Sequence, residues 1–479
     1  MKNFFIIISI IAGLALLAVA GAAAFFKKSP TFRETIVQKT VAEIVATSSL
    51  RQTSLVHEVL GFAEPRTYLL LFLNNTELRP GGGFIGSYGV VRFENGIPEL
   101  RVVEGTETLD FSVRYQDFGP PPEPLKKYLE LRHWQFRDSN WSPDFVEATK
   151  QGLVFYKEEG GVDAEKIDGV IAITPTVIER ILAISGPITV DGITFTSQNF
   201  TRTLEDEVEY KYVERGRHFD DRKRILRDLT KAMMKRTMID IFKHWNSYIE
   251  LGPKLLQEKQ IIFYSIHSEE EQMIQARGWG GTMLRENRGD YILWVDANLG
   301  ALKTDHAIER SLTYSFEPTS KGFVATAAMR FVHKGSFDKF TSRYRDYARV
   351  YVPQGSKLIK AVGFMDRDRS TKPGIIDQGE EFGKQWFGGF VAVEPGKTKT
   401  VSFSYLLPNS VVDSIKNGHY ILDVQKQIGT LQPGLTLGLD FGKKVVGARP
   451  GEGFDRHGDT RYEIETDLLI DRAFQITLE

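Results

Sequence analysis

This sequence predicts an α/β domain followed by an all-β, sandwich-like domain, preceded by an N-terminal transmembrane helix. Three observations carry that reading. Residues 4–26 contain no charge and no proline, and the run is long enough to cross a hydrocarbon core as a helix. Between residues 66 and 288, strand-like runs alternate with helical periodicity. Beyond about residue 290, β-branched and aromatic runs recur between turn residues with no convincing helix. The expected division is a membrane anchor at 1–28, a helical linker at 29–65, the α/β domain at 66–288 and the β-sandwich-like domain at 289–479.

The anchor has one rival reading. Ala18, Ala20 and the alanines at 22–24 suit the cut site of a cleavable signal peptide, but the apolar run is longer than such signals usually carry. Lys2 before the span and Lys27 and Lys28 after it leave the charge rule nearly silent on orientation. The chain has 479 residues and a formal net charge of −1, which suits two or three domains and gives no electrostatic footprint for nucleic acid. There is no cysteine. Disulfides, thiolate zinc sites, cysteine nucleophiles and iron–sulfur clusters are therefore excluded.

The α/β domain opens with an apolar strand at 67–73, a loop containing Arg79, Pro80 and three glycines, and a second strand at 84–93 that Asn95-Gly96 turns into a hairpin. After a proline-rich stretch at 120–124, Ser142 and Pro143 read as the N-cap and first residue of a helix. A buried strand follows at 168–173. Thr174-Pro175 then begins a helix with Val177, Ile178, Ile181 and Leu182 on one face and Gly186 at its end. Asp191-Gly192 joins two short strands, and Ile225, Leu229 and Met233 mark a helix from about 221 to 242. In the last domain the clearest strands are 347–352, 387–393, 398–406 and 420–424, a pattern that suits an antiparallel sandwich.

Three places could carry chemistry. Arg79 with Gly82 and Gly83 lies between two strands, where glycine backbone could cradle an anion or simply make a tight turn. Arg222 and Arg224, in a run of cations opening the long helix, would suit a dianion such as pyrophosphate; a solvated basic face is the alternative. Arg137-Asp138, with Asp144 in the next helix, could hold a phosphate and a magnesium ion or form a salt bridge, and Glu77 and Asp110 could reach the same pocket. Gly86-Ser87-Tyr88-Gly89 lacks the spacing of a nucleophile elbow and the nine histidines lack ligand spacing, which argues against a serine hydrolase or zinc enzyme.

The motif Asn74-Asn75-x-Glu77-Leu78-Arg79-Pro80-x-Gly82-Gly83-Phe84-Ile85-Gly86, with Arg137-Asp138-x-Asn140-Trp141-Ser142-Pro143-Asp144-Phe145 downstream, resembles the bacterial domain-of-unknown-function family 4012. The likeness extends through residues 294–300 and 347–353. More distantly, the α/β part resembles the LytR-CpsA-Psr enzymes, which sit outside the membrane and transfer glycopolymers from polyprenyl-pyrophosphate carriers to the cell wall. The order of 168–173, the helix after it, 186–190 and the arginine-bearing helix at 222–236 carries this second likeness.

That resemblance implies a mixed-sheet α/β fold, pyrophosphate held by Arg79, Arg137, Arg222 and Arg224, and magnesium on Asp138, with Arg137 and Asp138 in the catalytic role. It also implies a single-pass protein of the cell membrane whose bulk is extracytoplasmic and whose partner is a polyprenyl-pyrophosphate-linked glycan. Asn74-Asn75 and Gly82-Gly83-Phe84 stand where those enzymes carry acidic motifs. The competing expectation is therefore a non-catalytic envelope protein for glycopolymer binding or surface assembly.

Overall fold

The computed structural model describes residues 58–113, 116–216, 218, 222–240, 243–286, 288–453 and 458–479. The expected anchor at 1–28, and all but the end of the expected linker at 29–65, lie outside them. No helix among the described residues is long and apolar enough to cross a membrane.

The first sheet has five strands. β1 (Arg66–Asn74), β2 (Phe84–Glu94) and β3 (Ile97–Gly105) form an antiparallel meander. β4 (Gly169–Ile173) joins β1 in parallel, so the order is β3-β2-β1-β4 with one further strand outside β4. Asn95 and Gly96 take the positive φ values that a two-residue hairpin requires. Between β3 and β4 lie α1 (Glu107–Ser112), α2 (Glu123–Leu129) and α3 (Phe145–Glu158). The N-cap of α3 is Asp144, whose carboxylate accepts from the Glu147 N–H at 3.2 Å, in place of the expected Ser142. Asp144 holds the position because its second oxygen also accepts from the Met283 N–H and from Arg285.

After β4 come α4 (Pro175–Ser185), the small hairpin of β5 (Ile188–Val190) and β6 (Ile193–Phe195), and α5 (Phe200–Asp206). α6 (Arg224–Asp240) begins after the expected start near 221 and leaves Arg222 in the turn before it. α7 (Trp245–Gln257) leads into β7 (Ile261–Ser265), the antiparallel edge partner of β4, and α8 (Ser268–Ala276) follows.

Strand alternation divides the side chains of this sheet between two layers. Leu69, Leu71 and Leu73 of β1, Val170 and Ala172 of β4 and Ile262 of β7 pack with Phe145 and Phe155 of α3. Leu70, Phe72, Ile171, Ile173, Ile261 and Phe263 point the other way, toward α4, α5 and α6. The sheet is thus apolar on both faces, as a sheet covered by helices must be.

The remaining chain builds two more sheets. β8 (Asp290–Val295), β9 (Ile308–Thr319), β10 (Gly322–His333), β11 (Tyr344–Pro353), β12 (Lys357–Val362), β13 (Asp377–Glu381), β14 (Lys384–Val393) and β15 (Thr398–Leu406) come first. α9 (Asn409–Lys416) precedes β16 (His419–Gln425), β17 (Gly434–Asp440), β18 (Val445–Arg449), β19 (Arg461–Asp467) and β20 (Arg472–Leu478). The sheet orders are β12-β15-β10-β9-β17-β19 and β13-β14-β11-β8-β16-β20-β18. Their facing sides share one core, in which Phe316, Phe331, Phe403 and Leu437 meet Trp294, Val350, Phe387 and Leu422. The arrangement departs from the expected purely antiparallel, helix-free pattern. β16 runs parallel to β8 and β17 parallel to β9, and α9 buries Val411, Val412 and Ile415 in the same core. A parallel neighbour needs a crossover, and α9 lies on the connection that leads into β16.

Candidate functional site

A cavity of about 350 Å³ lies between the first sheet and α4, α5 and α6. Leu70, Phe72, Ile171 and Phe263 form its floor, and Val177, Ile181, Leu204, Leu229 and Met233 belong to the helices that cover it. Its charged lining comes from Glu107, Arg137, Glu205, Glu209, Arg222, Lys223 and Lys303. The space can therefore take an apolar chain, with polar groups able to fix a headgroup.

The cations are paired. Arg222 donates to Glu107 Oε1 at 2.9 Å and lies 3.5 Å from Glu209 Oε2. Lys223 Nζ reaches Glu107 Oε2 at 2.6 Å and also the Gly86 carbonyl. Burial works to raise the Glu107 carboxyl, but Lys223 and Arg222 outweigh it and hold the group below the usual carboxylate range. Burial lowers the Lys223 ammonium despite Glu107. Lys303 meets Glu77 Oε2 at 2.7 Å, and Arg137 Nε meets Asp110 Oδ2 at 2.7 Å. Glu205, raised by burial, accepts from Thr76 and Asn74.

Of the residues expected to bind phosphate, the fold brings Arg137 and Arg222 to the cavity and takes the others away. Arg79 is only 3% exposed. Its guanidinium donates to the Asn298 carbonyl at 2.6 Å and to the Asp138 carboxylate at 3.4 Å, so it is a structural tie and not a ligand contact. Gly82 and Gly83 serve packing. A Cβ on Gly82 would lie 2.5 Å from Ile428 Cγ2, and one on Gly83 would lie 2.6 Å from the Asn74 carbonyl. Arg224 faces solvent and pairs with Asp228 one turn along α6.

Asp138 does not fit the expected magnesium site. Its carboxyl is buried against Arg79, so a divalent cation would have to displace a guanidinium. Burial raises this carboxyl against the pull of Arg79 and Arg137. Among the described residues no group of three or more His, Cys, Asp or Glu is placed to hold a metal ion.

Lys223 and Lys303, with Glu107, Glu205 and Glu209, are the charged lining residues that sequence reasoning missed. Lys223 stands between the two arginines already singled out, so its signal was present. Lys303 arrives from the chain beyond β8, far from the motifs.

Residues 63–209 match the model of a family described as a protein of unknown function, DUF4012, in line with the motif at 74–86. No curated protein matches the chain. Among solved structures, a putative nutrient binding protein from Legionella pneumophila is similar at 8% identity and a TM-score of 0.22, over 39% of this chain and 71% of that one. An M1 zinc metallopeptidase from Deinococcus radiodurans is similar at 7% identity and a TM-score of 0.17, over 40% of this chain and 42% of that one.

Proposed function

We propose that this protein binds a polyprenyl-pyrophosphate-linked glycan, with the isoprenoid in the cavity and the phosphates at its charged lining, and that it holds this carrier without transferring the glycan. The observation that carries the reading is a large apolar cavity whose charged residues include Arg137, Arg222, Lys223 and Lys303. Burying isoprenoid methylenes contributes about 0.8 kcal/mol each, so even a short stretch of chain supplies useful affinity. The phosphates compete with Glu107 for Arg222 and Lys223, which makes the headgroup a selector more than a source of binding energy.

The distant likeness to LytR-CpsA-Psr enzymes supports the ligand class, and with it an extracytoplasmic, membrane-anchored setting in the cell envelope. The enclosed Asp138 speaks against their metal-assisted transfer and for a binding role.

The test is binding by the full chain in detergent, comparing a polyprenyl pyrophosphate with the neutral polyprenol. Arg222→Ala with Lys223→Ala should weaken pyrophosphate binding by roughly tenfold or more and leave the polyprenol unaffected, whereas Arg224→Ala should change neither. Equal binding of both lipids by the wild type would reduce the site to an apolar lipid pocket. Binding of neither would overturn the reading.

A further inference from the structure

Arg137 links the cavity to a second cluster of side chains. Its guanidinium faces Asp110 of α1, which is fully buried, and Glu159, the C-cap of α3 and 3% exposed, lies against the same helix, its carbonyl accepting from Ser112 Oγ of α1 at 3.4 Å and its carboxyl acting directly on that of Asp110. Glu159 Oε1 accepts from the Phe136 N–H at 2.8 Å. Glu159 Oε2 and both oxygens of Asp110 accept no well-directed side-chain hydrogen bond from the described residues; the Arg137 main-chain N–H bears on Asp110, and Arg137 Nε approaches Asp110 Oδ2 as an ion pair. Among the described residues the Asp138 carboxylate, held by Arg79, also bears on Asp110.

Ionised carboxylates only accept hydrogen bonds. Two of them here would oppose their lone pairs in a buried space and set two negative charges against one guanidinium. A single proton removes the conflict, as in other close carboxyl pairs. We infer that Glu159 carries a proton which it donates to Asp110, so that the pair presents one negative charge to Arg137 and makes headgroup binding at the cavity proton-dependent.

Burial pushes both carboxyls up, the repulsion between them adds to the rise of Glu159, and Arg137 opposes it in each. While the proton stays, Asp110 alone balances Arg137 and the guanidinium can share its charge with a bound anion. Once the proton leaves, two carboxylates hold Arg137 and repel the anion. Asp110 and Glu159 are thus positioning residues for Arg137, and anion binding takes up a proton as pH rises toward the titration of the pair.

This inference rests on the carrier-binding reading, and the experiment separates the two. The probe is a short isoprenyl sulfonate, whose charge is constant, titrated against the full chain between about pH 6.5 and pH 9.5. Wild-type affinity should fall about tenfold over that range. Glu159→Gln, whose amide can donate to Asp110 at every pH and still accept from Phe136, should lose most of that fall and keep only the part due to Lys223, whose ammonium burial also lowers. Infrared difference spectra should show a protonated carboxyl band in the wild type near neutral pH that is lost in Glu159→Gln. Calorimetry of wild type in two buffers of different ionisation enthalpy should register proton uptake on binding, which keeps the test independent of any variant. No protonated carboxyl, or the same fall in Glu159→Gln, overturns the inference. A sulfonate that binds at no pH overturns the carrier reading, and the infrared band still decides the shared proton.

Discussion

Arg79 and Asn298 are tied across the molecule, the Arg79 guanidinium donating to the Asn298 carbonyl at 2.6 Å. Around that bond the loop after β1 and the segment after β8 hold each other by main chain as well. The Asn298 N–H donates to the Leu78 carbonyl, the Asp305 N–H donates to the Thr76 carbonyl, and the Leu78 N–H donates to the Asp305 carboxylate. The motif that looks most like a ligand loop is therefore the joint between the α/β sheet and the β-rich region.

Arg79→Ala should destabilise the fold by about 3–5 kcal/mol, because it leaves the buried Asp138 carboxyl and the Asn298 carbonyl without their partner. Arg79→Lys should recover less than half, since one ammonium cannot reach both groups at once. Denaturant unfolding of each variant checks this, and a loss below about 1 kcal/mol for alanine would contradict it.

Gly82→Ala should cost about 2–4 kcal/mol. The residue has φ +116, and its new methyl would meet Ile428 at 2.5 Å. Adding Ile428→Ala should restore part of the loss by removing the clash but not the backbone strain. A double-mutant cycle reads that coupling directly.

Met233→Trp places a larger side chain in the wall of the cavity. Filling empty space spares the packed core, so the melting temperature should move by only a few degrees while affinity for a polyprenyl pyrophosphate drops at least tenfold. Unchanged affinity would place the lipid elsewhere.

Lys426 is fully buried at the joint, donating to the Glu258 and Gln427 carbonyls. Burial pushes its ammonium down to about 7, whereas an unfolded lysine titrates near 10.4. Above about pH 7 the folded chain has released this proton and the unfolded chain has not, so stability rises with pH toward about 10, by roughly 4 kcal/mol at most. Below pH 7 both states hold the proton and the contribution is flat. Lys426→Met should abolish the rise, measured as the difference between wild-type and variant stability at pH 6.5 and pH 9.5; parallel pH profiles would contradict the assignment.

Much of the local structure was legible along the chain. The positions of β1, β2 and β4, the Asn95-Gly96 and Asp191-Gly192 turns and the Gly186 stop of α4 follow from alternation, positive φ and helix capping, which involve residues a few positions apart. The cap of α3 lies at Asp144, two residues beyond the expected Ser142, where Asp144 also draws on Met283 and Arg285 from far along the chain.

The sequence by itself determined which residues are apolar, which turns close and where charge is concentrated. It could also point to Arg137 and Arg222 as cations worth following. Only the tertiary structure decided that Arg79 is locked behind Asn298, that Lys303 joins Arg222 and Lys223 at one cavity, and that Asp110 and Glu159 meet in one buried cluster. Burial and pairing are properties of distances between residues far apart in the chain, and it is those distances that turn an arginine into either a ligand contact or a structural tie.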